Sequence, residues 1–285
     1  LRRAPGPDGG LPASRAAYLG GCTATSNVLA GQQFGIPVAG THAHSWVMSF
    51  ADETEAFAAY ARTSPNNLIL LVDTYDTGRG IERAIQVGRR LREDGIPLSG
   101  IRLDSGDLAA WARHARQALD AAGLRETKIV ASGNLDAAGI ARLKRAGAPI
   151  DIWGVGSHLV ATAPALDVVY KLAAVRAPGQ TAWQPRMKIS NSPEKRSLPG
   201  ILNLRREWRD GQPIGDTLYD PADGVPPQSR RQPEELLQPL VAASPPLPAL
   251  RAHAARQAGW LLSNEDYPLH LAEPLAARAE KLAQV

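Results

Sequence analysis

The sequence predicts an α/β fold built on a parallel sheet or barrel, followed by a smaller C-terminal portion with a different rhythm. Three observations predict it. Apolar runs of strand length recur at 36–40, 68–73, 99–103, 128–132, 150–155 and 167–173. Helical patterns follow several of these runs, at 51–62, 79–94, 107–122 and 135–146. The repeat is roughly 25–35 residues, the length of a strand–helix unit, and its polar residues gather where each strand run ends.

The elements follow in order. Residues 1–12 are rich in Gly and Pro and read as a loop, and residues 13–34 read as a helix broken near Gly20-Gly21. The helix at 107–122 carries Leu108, Trp111, Ala112, Ala115 and Leu119 at helical spacing, which gives it one apolar face. Asp107 faces its positive end as an acidic first-turn residue, and Gly123 stops it. After about residue 175 the repeat is lost. Trp183, Met187 and Ile189, then Ile201, Leu202 and Leu204, read as short, antiparallel strands. Residues 221–233 read as a Pro-, Gly- and Arg-rich loop, and 247–262 and 274–283 as helices.

Composition excludes several classes of function. With 285 residues the chain can form one large α/β domain or two smaller ones, and 44% hydrophobic residues fit a globular protein. No apolar run approaches the roughly 18 residues of a membrane helix, so no membrane partner is expected. The first residues, Leu1-Arg2-Arg3-Ala4-Pro5-Gly6, lack the apolar core of a signal peptide. A single cysteine, Cys22, rules out an intrachain disulfide, argues against a cysteine zinc site and fits a cytoplasmic protein. The net charge of +4 is dispersed, without a basic stripe interleaved with aromatics, so nucleic acid is not an expected partner.

The chemistry concentrates at the strand ends, where parallel α/β folds assemble their sites. Gly40-Thr41-His42-Ala43-His44-Ser45-Trp46 follows the first run and brings imidazoles that can act as bases or nucleophiles. Later runs end in Asp73-Thr74-Tyr75-Asp76-Thr77, Asp104-Ser105-Gly106-Asp107, Ser132-Gly133-Asn134-Leu135-Asp136 and Gly154-Val155-Gly156-Ser157-His158. Asp73-Thr74-Tyr75-Asp76 and Asp104-Ser105-Gly106-Asp107 are also common helix-cap and turn sequences, and the Gly154/Gly156 pair alone is a weak phosphate-loop signal. The alternation Arg102-Leu103-Asp104 is more unusual. It turns Arg102 and Asp104 to the same side of a strand, where burying both is expensive unless they serve a purpose. An anionic, phosphate-bearing substrate and a metal fit this set. Backbone amides near Gly133-Asn134 and Gly154–Ser157 would cradle phosphate, and the carboxylates would hold ribose hydroxyls or Mg²⁺.

Taken together, these motifs resemble the nicotinate phosphoribosyltransferases. The resemblance rests on Leu1-Arg2-Arg3, Gly6-Pro7-Asp8-Gly9, Thr25-Ser26-Asn27-Val28-Leu29-Ala30, Gly40-Thr41 with Ala43-His44-Ser45, and Val72-Asp73-Thr74-Tyr75-Asp76. It continues through Arg102-Leu103-Asp104-Ser105-Gly106-Asp107, Ser132-Gly133-Asn134-Leu135 and Tyr170-Lys171-Leu172, and more loosely through Lys188-Ile189-Ser190 and Leu198-Pro199-Gly200.

The resemblance implies a partial, irregular TIM-like barrel of the type II phosphoribosyltransferases, with residues 1–175 as the barrel core and 176–285 as a smaller α+β portion. It implies the joining of nicotinate to 5-phosphoribosyl-1-pyrophosphate in NAD biosynthesis, with Mg²⁺ as cofactor and ATP as co-substrate through a phosphorylated histidine. A homodimer with a shared active site is also implied. By motif, His44 is that histidine, Asp73 lies near it and the Mg²⁺–pyrophosphate, and Arg102 and Asp104 flank ribose and phosphates. Asp73 and Asp104 are the candidate contacts to Mg²⁺. Arg2 would pair with the base carboxylate, and Ser26, Ser45 and Ser105 fall in substrate-binding motifs. Gly133 and Asn134 would contact ribose or the 5′-phosphate, which Gly154, Gly156 and Ser157 would hold by their amides. His42 falls at a variable position and takes no role.

The chain departs from the pattern in four places. Family members carry a further N-terminal domain ahead of the position of Leu1, so this chain reads as a C-terminal fragment or half of a split protein. Cys22-Thr23-Ala24 and Ser157-His158 replace more usual residues, and 161–167 reads as shortened. A nicotinamide phosphoribosyltransferase and a non-catalytic subunit that binds phosphoribosyl ligands are the competing expectations.

Overall fold

Helices α1 (Gly6–Leu19), α2 (Val28–Phe34), α3 (His44–Met48) and α4 (Glu53–Thr63) precede a strand–helix repeat. The repeat runs β1 (Ile69–Leu71), α5 (Thr77–Glu93), β2 (Gly100–Leu103), α6 (Leu108–Ala121), β3 (Lys128–Ala131), α7 (Ala137–Arg145), β4 (Ile152–Trp153) and α8 (Ser157–Val160). The structure is a computed structural model that describes residues 3–161, 170–190, 195–226, 232–237, 245–261 and 267–284. The chain divides into two units, Leu1–Leu172 with Lys188–Ser197, and Ala173–Met187 with Leu198–Val285.

In the first unit the four strands lie side by side in chain order, all parallel. Strand β1 is buried along its whole length, as expected of a strand covered on both faces. Helices α5 and α6 turn Ile81, Ala84 and Val87, and Ala112, Ala115 and Leu119, into one core with Phe57, Leu70, Ile101 and Ile129. Helix α5 sits so close to the end of β1 that a Cβ on Gly80 would lie 1.9 Å from the Val72 carbonyl oxygen, so only glycine fits there.

Three helices of the repeat begin on an aspartate. Asp76, Asp107 and Asp136 accept backbone N–H bonds from the first turns of α5, α6 and α7. Asp107 is therefore the N-cap rather than a first-turn residue. The three loops that end in these caps all leave the C-terminal ends of their strands.

The second unit holds β5 (Ala174–Val175), β6 (Gln184–Pro185), β7 (Asn203–Arg209), β8 (Gln212–Tyr219), β9 (Gln232–Glu235), α9 (Leu247–Leu261), β10 (Leu269–Leu271) and α10 (Glu273–Ala283). Strands β5 and β6 pair antiparallel, and the larger sheet has the order β10-β8-β7-β9. The β7–β8 hairpin turns on Asp210-Gly211, both at positive φ (52° and 75°), the backbone that a two-residue hairpin turn requires. Across it Arg206 makes a fork to the Asp216 carboxylate, with both bonds at 2.8 Å, and the Tyr267 hydroxyl donates to the same carboxylate at 2.8 Å.

Several expectations change. The loop at 1–12 gives way to α1 from Gly6, because Pro7 fits a first helical turn, where its missing N–H is no loss. The broken helix at 13–34 is two helices, the second capped by Asn27 and closed by Gly35 at φ 67°. The run 36–40 is not a regular strand. It contributes one bridge, Thr25 to Val38, because Pro37 has no N–H to donate to a ladder. Part of the run 167–173 lies outside the described residues, and the loop at 221–233 contains a 3-10 turn at Pro221–Asp223 and the start of β9. The parallel sheet is open rather than closed into a barrel among the described residues, with β1 and β4 as its edges. Among the described residues no helix is long and apolar enough to cross a membrane.

Candidate functional site

Strand β2 delivers the centre of the site. Arg102 and Asp104 point the same way and pair, Arg102 Nη2 to Asp104 Oδ1 at 3.0 Å. The other guanidinium nitrogens are also held: Nε donates to Ser132 Oγ at 2.8 Å and Nη1 to Thr41 Oγ1 at 2.8 Å. The Ser132 hydroxyl in turn donates to Asp104 Oδ1 at 2.5 Å. One arginine thus ties together the ends of β2 and β3 and the segment before His44.

The end of β1 supplies Asp73, which is buried. Its Oδ2 accepts the Asp104 N–H at 3.1 Å and the Ser105 hydroxyl. Ser105 is therefore a support for Asp73, its hydroxyl already committed. Asp73 Oδ1 is buried without a hydrogen-bond partner, which is costly for a carboxylate and marks a place for a further ligand.

His44 opens α3 after the extended Ala43. Its Nδ1 lies 3.1 Å from Thr74 Oγ1, and its Nε2 lies 2.9 Å from Lys188 Nζ and 3.8 Å from Asp104 Oδ2. The shorter contact decides the tautomer. An ammonium only donates, so Nε2 accepts and the ring proton sits on Nδ1, directed at Thr74. Burial pushes the imidazole below its ordinary value against the pull of Asp104 and Asp73, and Lys188 pushes the same way as burial, which favours the neutral ring. Burial alone would raise the Asp104 carboxyl, but His44, Arg102, Ser132 and Lys195 outweigh it and hold Asp104 well below the usual carboxylate range.

Lys195 completes the centre, donating to the Asp104 carbonyl at 2.5 Å with Nζ 3.9 Å from Oδ2. Three cations, Arg102, Lys188 and Lys195, thus face two carboxylates, a balance that suits an anionic substrate. Atoms of His44, Asp73 and Asp104 lie within 4.8 Å of one another. Because both ring nitrogens of His44 are engaged, the two carboxylates are the donors left for a cation, and oxygen donors suit Mg²⁺.

His42 is a structural residue. Its Nε2 accepts the Leu71 N–H at 3.0 Å, closing the outer edge of β1, and its ring meets Tyr60 edge-on. Burial pushes its pKa from 6.5 down to about 4. Between those values the unfolded chain binds a proton that the folded one refuses, so His42 stabilises less as pH falls from 6.5 towards 4, by about 3 kcal/mol in full. Glu53 works in the opposite sense, since burial raises its carboxyl to about 7. The comparison with a variant isolates the histidine. Urea unfolding at pH 7.5 and 5 is expected to show His42→Leu less stable at pH 7.5 but losing less on acidification than the unmodified protein. Equal losses would remove His42 from this account.

The remaining sequence-predicted residues fall in different places. Gly133, at φ 96°, packs against the Asp104 carbonyl, and Asn134 follows in the left-handed region at φ 56°. Ser45 is exposed on α3 and Ser26 is exposed in the turn before α2, where the hydrogen bonds run through Thr25 and Asn27. The Gly154 N–H donates to the Ala131 carbonyl at 2.8 Å, so it belongs to the sheet and cannot also hold a phosphate. Gly156 and Ser157 form the cap and first residue of α8, and Arg2 lies outside the described residues. Thr41, Thr74, Ser132, Lys188 and Lys195 take no role in the sequence analysis, and the structure brings them to the site. For Lys188 the available signal was a lysine between apolar Met187 and Ile189, in a segment read as strand.

Comparison with known proteins gives the family of the chain. Residues 14–210 match the model of the nicotinate phosphoribosyltransferase (NAPRTase) family. A nicotinate phosphoribosyltransferase of Bacillus subtilis is 46% identical over 228 residues, covering 77% of this chain and 45% of the relative. The human nicotinate phosphoribosyltransferase is 37% identical, with 79% of this chain and 52% of the relative covered. The crystal structure of the human nicotinic acid phosphoribosyltransferase superposes with a TM-score of 0.52 at 32% identity, covering 99% of this chain and 69% of that one. The chain spans about half the length of the sequence relatives described above.

Proposed function

The chain belongs to the nicotinate phosphoribosyltransferase family, and from that premise we propose that it serves the transfer of a phosphoribosyl group to nicotinate, driven by ATP through His44. The observation that carries the reading is a neutral, oriented imidazole set among Asp73, Asp104, Arg102 and Lys188 at the ends of two parallel strands.

In the glycosyl transfer, the bond from ribose C1 to pyrophosphate breaks and a bond from C1 to the nicotinate nitrogen forms, giving nicotinate mononucleotide and pyrophosphate. Positive charge grows on the ribose as pyrophosphate leaves. Arg102 and Lys195 bind the leaving oxyanions, and Asp104, held ionised, faces the ribose. Mg²⁺ fits Asp73 and Asp104, where the unpartnered Asp73 Oδ1 is a ready donor, and when bound it would neutralise phosphate charge. Gly133, Asn134, Gly156 and Ser157 lie at the ends of β3 and β4, where backbone groups would meet the 5′-phosphate.

The first unit carries this chemistry, and its open sheet is a segment of the irregular TIM-like barrel of the family, an assignment supported by exposed Ile152 on the edge strand β4. A homodimer with a shared site fits exposed Leu19, Val28 and Leu29 on α1 and α2. Lone Cys22 fits a cytoplasmic setting.

The test is nicotinate mononucleotide formation by the protein, together with any sequence that flanks these residues in its natural polypeptide. Nicotinate, 5-phosphoribosyl-1-pyrophosphate, Mg²⁺ and ATP are supplied. Product that ATP stimulates is expected. Turnover of nicotinamide instead would move the specificity, and tight phosphoribosyl binding without turnover would make this a binding subunit. A second measurement concerns Arg102. Arg102→Ala is expected to weaken 5-phosphoribosyl-1-pyrophosphate about 10- to 100-fold by calorimetry, the worth of a charge-assisted hydrogen bond. Unchanged affinity would take Arg102 out of the site.

A further inference from the structure

Lys188 is 1% exposed, and lysines are almost never buried so fully without a partner. It lies 144 residues from His44 in sequence, in the segment Lys188–Ser197 that packs with the first unit. Its backbone is pinned: the Lys188 N–H donates to Ser197 Oγ at 2.9 Å, and the Ser197 N–H returns a bond to the Lys188 carbonyl at 3.3 Å. Its ammonium is aimed at a ring nitrogen, 2.9 Å from His44 Nε2. Thr74 holds the opposite nitrogen at 3.1 Å, so the imidazole is clamped at both ends. A lysine needed only to balance Asp73 and Asp104 would have no reason to face the imidazole.

We propose that Lys188 is the positioning residue of His44: its ammonium fixes the ring with the lone pair on Nε2 and stands beside the phosphoryl group that this nitrogen would carry. The inference rests on the reading that His44 accepts a phosphoryl group from ATP. In that step the Nε2 lone pair forms a bond to the γ-phosphorus as the bond to the bridging oxygen breaks, and ADP leaves. The proton on Nδ1 stays on the ring, directed at Thr74. Lys188 yields Nε2 to phosphorus and turns its hydrogens to the phosphoryl oxygens, so one cation serves the ring before transfer and the phosphoryl group after it.

The experiment incubates the intact protein, Lys188→Gln and Lys188→Arg with γ-labelled ATP and Mg²⁺. It reads the initial rate of acid-labile label on His44 and the His44 tautomer in an imidazole nitrogen spectrum. Lys188→Gln is expected to label about 10- to 100-fold more slowly, the scale of a lost charged hydrogen bond. The same variant should lose the preference for the Nδ1–H form, and Lys188→Arg should recover most of the rate. The His42 signal, fixed by its bond from Leu71, serves as the control for folding. If Lys188→Gln loses that signal, Lys188→Met takes its place with the same expected outcome. A charge-free variant that folds and labels at the unmodified rate, or keeps the His44 tautomer, overturns the proposal. An unmodified protein that takes no label on His44 instead overturns the histidine reading, and this proposal with it.

Discussion

His44→Ala is expected to lower ATP-dependent phosphorylation of the protein by roughly a thousandfold or more, since no other group replaces a missing nucleophile. The fold should survive. Position 44 opens a short helix, where alanine is well tolerated, and the variant loses side-chain contacts to Thr74, Lys188 and Asp104. Lys188 keeps Asp73 and Asp104 nearby, so its charge is not stranded. Thermal unfolding should therefore shift by only a few degrees while the label disappears. His42→Ala provides the contrast, because its ring supports β1 from outside the cluster and its loss should reduce stability more than labelling. Full labelling of His44→Ala would show that the phosphoryl group goes elsewhere and would remove the central assignment.

Gly133→Ala is expected to cost about 3–5 kcal/mol, combining an overpacked contact with strain at positive φ. A Cβ at residue 133 would lie 2.1 Å from the Asp104 carbonyl oxygen and 2.9 Å from its carbonyl carbon, on a backbone with φ of 96°. Both obstacles are main chain, so no side-chain rotation relieves them. The strand end that carries Asp104 must move instead, and with it the pairing to Arg102 and Lys195. Gly147→Ala is the matched control. It has positive φ (62°) but no neighbour within 4 Å of the added carbon, so only the conformational penalty applies. A melting point lowered by about 10 °C or more for Gly133→Ala, against a few degrees for Gly147→Ala, is expected. Equal shifts would mean that the close approach to Asp104 does not exist in solution.

The two Asp-x-x-Asp sequences show how far the chain could be read. Asp73 and Asp76, like Asp104 and Asp107, are alike by sequence, and each could cap a helix or serve a site. The structure divides the labour. Asp76 and Asp107 accept the first-turn amides of α5 and α6, while Asp73 and Asp104 turn into the cluster around His44. Spacing alone could not separate them, because the distinction depends on where each strand ends relative to its neighbour. The strand–helix repeat from 68 to 146 was legible because buried parallel strands must be apolar and their helices must carry one apolar face. The N-terminal segment was less so, since Gly and Pro are as compatible with the first turn of α1 as with a loop. The β7–β8 hairpin carried a readable signal in Asp210-Gly211, but its flanking strands, Asn203–Arg209 and Gln212–Tyr219, are largely polar and lack a clean apolar alternation.

Local chemistry therefore determined the α/β class and the strand-end motifs that contain His44, Asp73, Arg102 and Asp104, because these follow from periodicity and from residue types set at strand ends, and the family resemblance singled out those four within the motifs. Tertiary structure alone decided which candidates share a site. It committed Ser105 to Asp73 and the Gly154 amide to the sheet, and it gave His42, two residues from His44, a structural role at the edge of β1. It also returned Lys188 and Lys195 to the strand ends from a segment far along the chain. The reason is physical. A tautomer, a buried charge and an unpartnered carboxylate oxygen depend on atoms within a few ångströms, and the order of residues along a chain does not state which atoms those are.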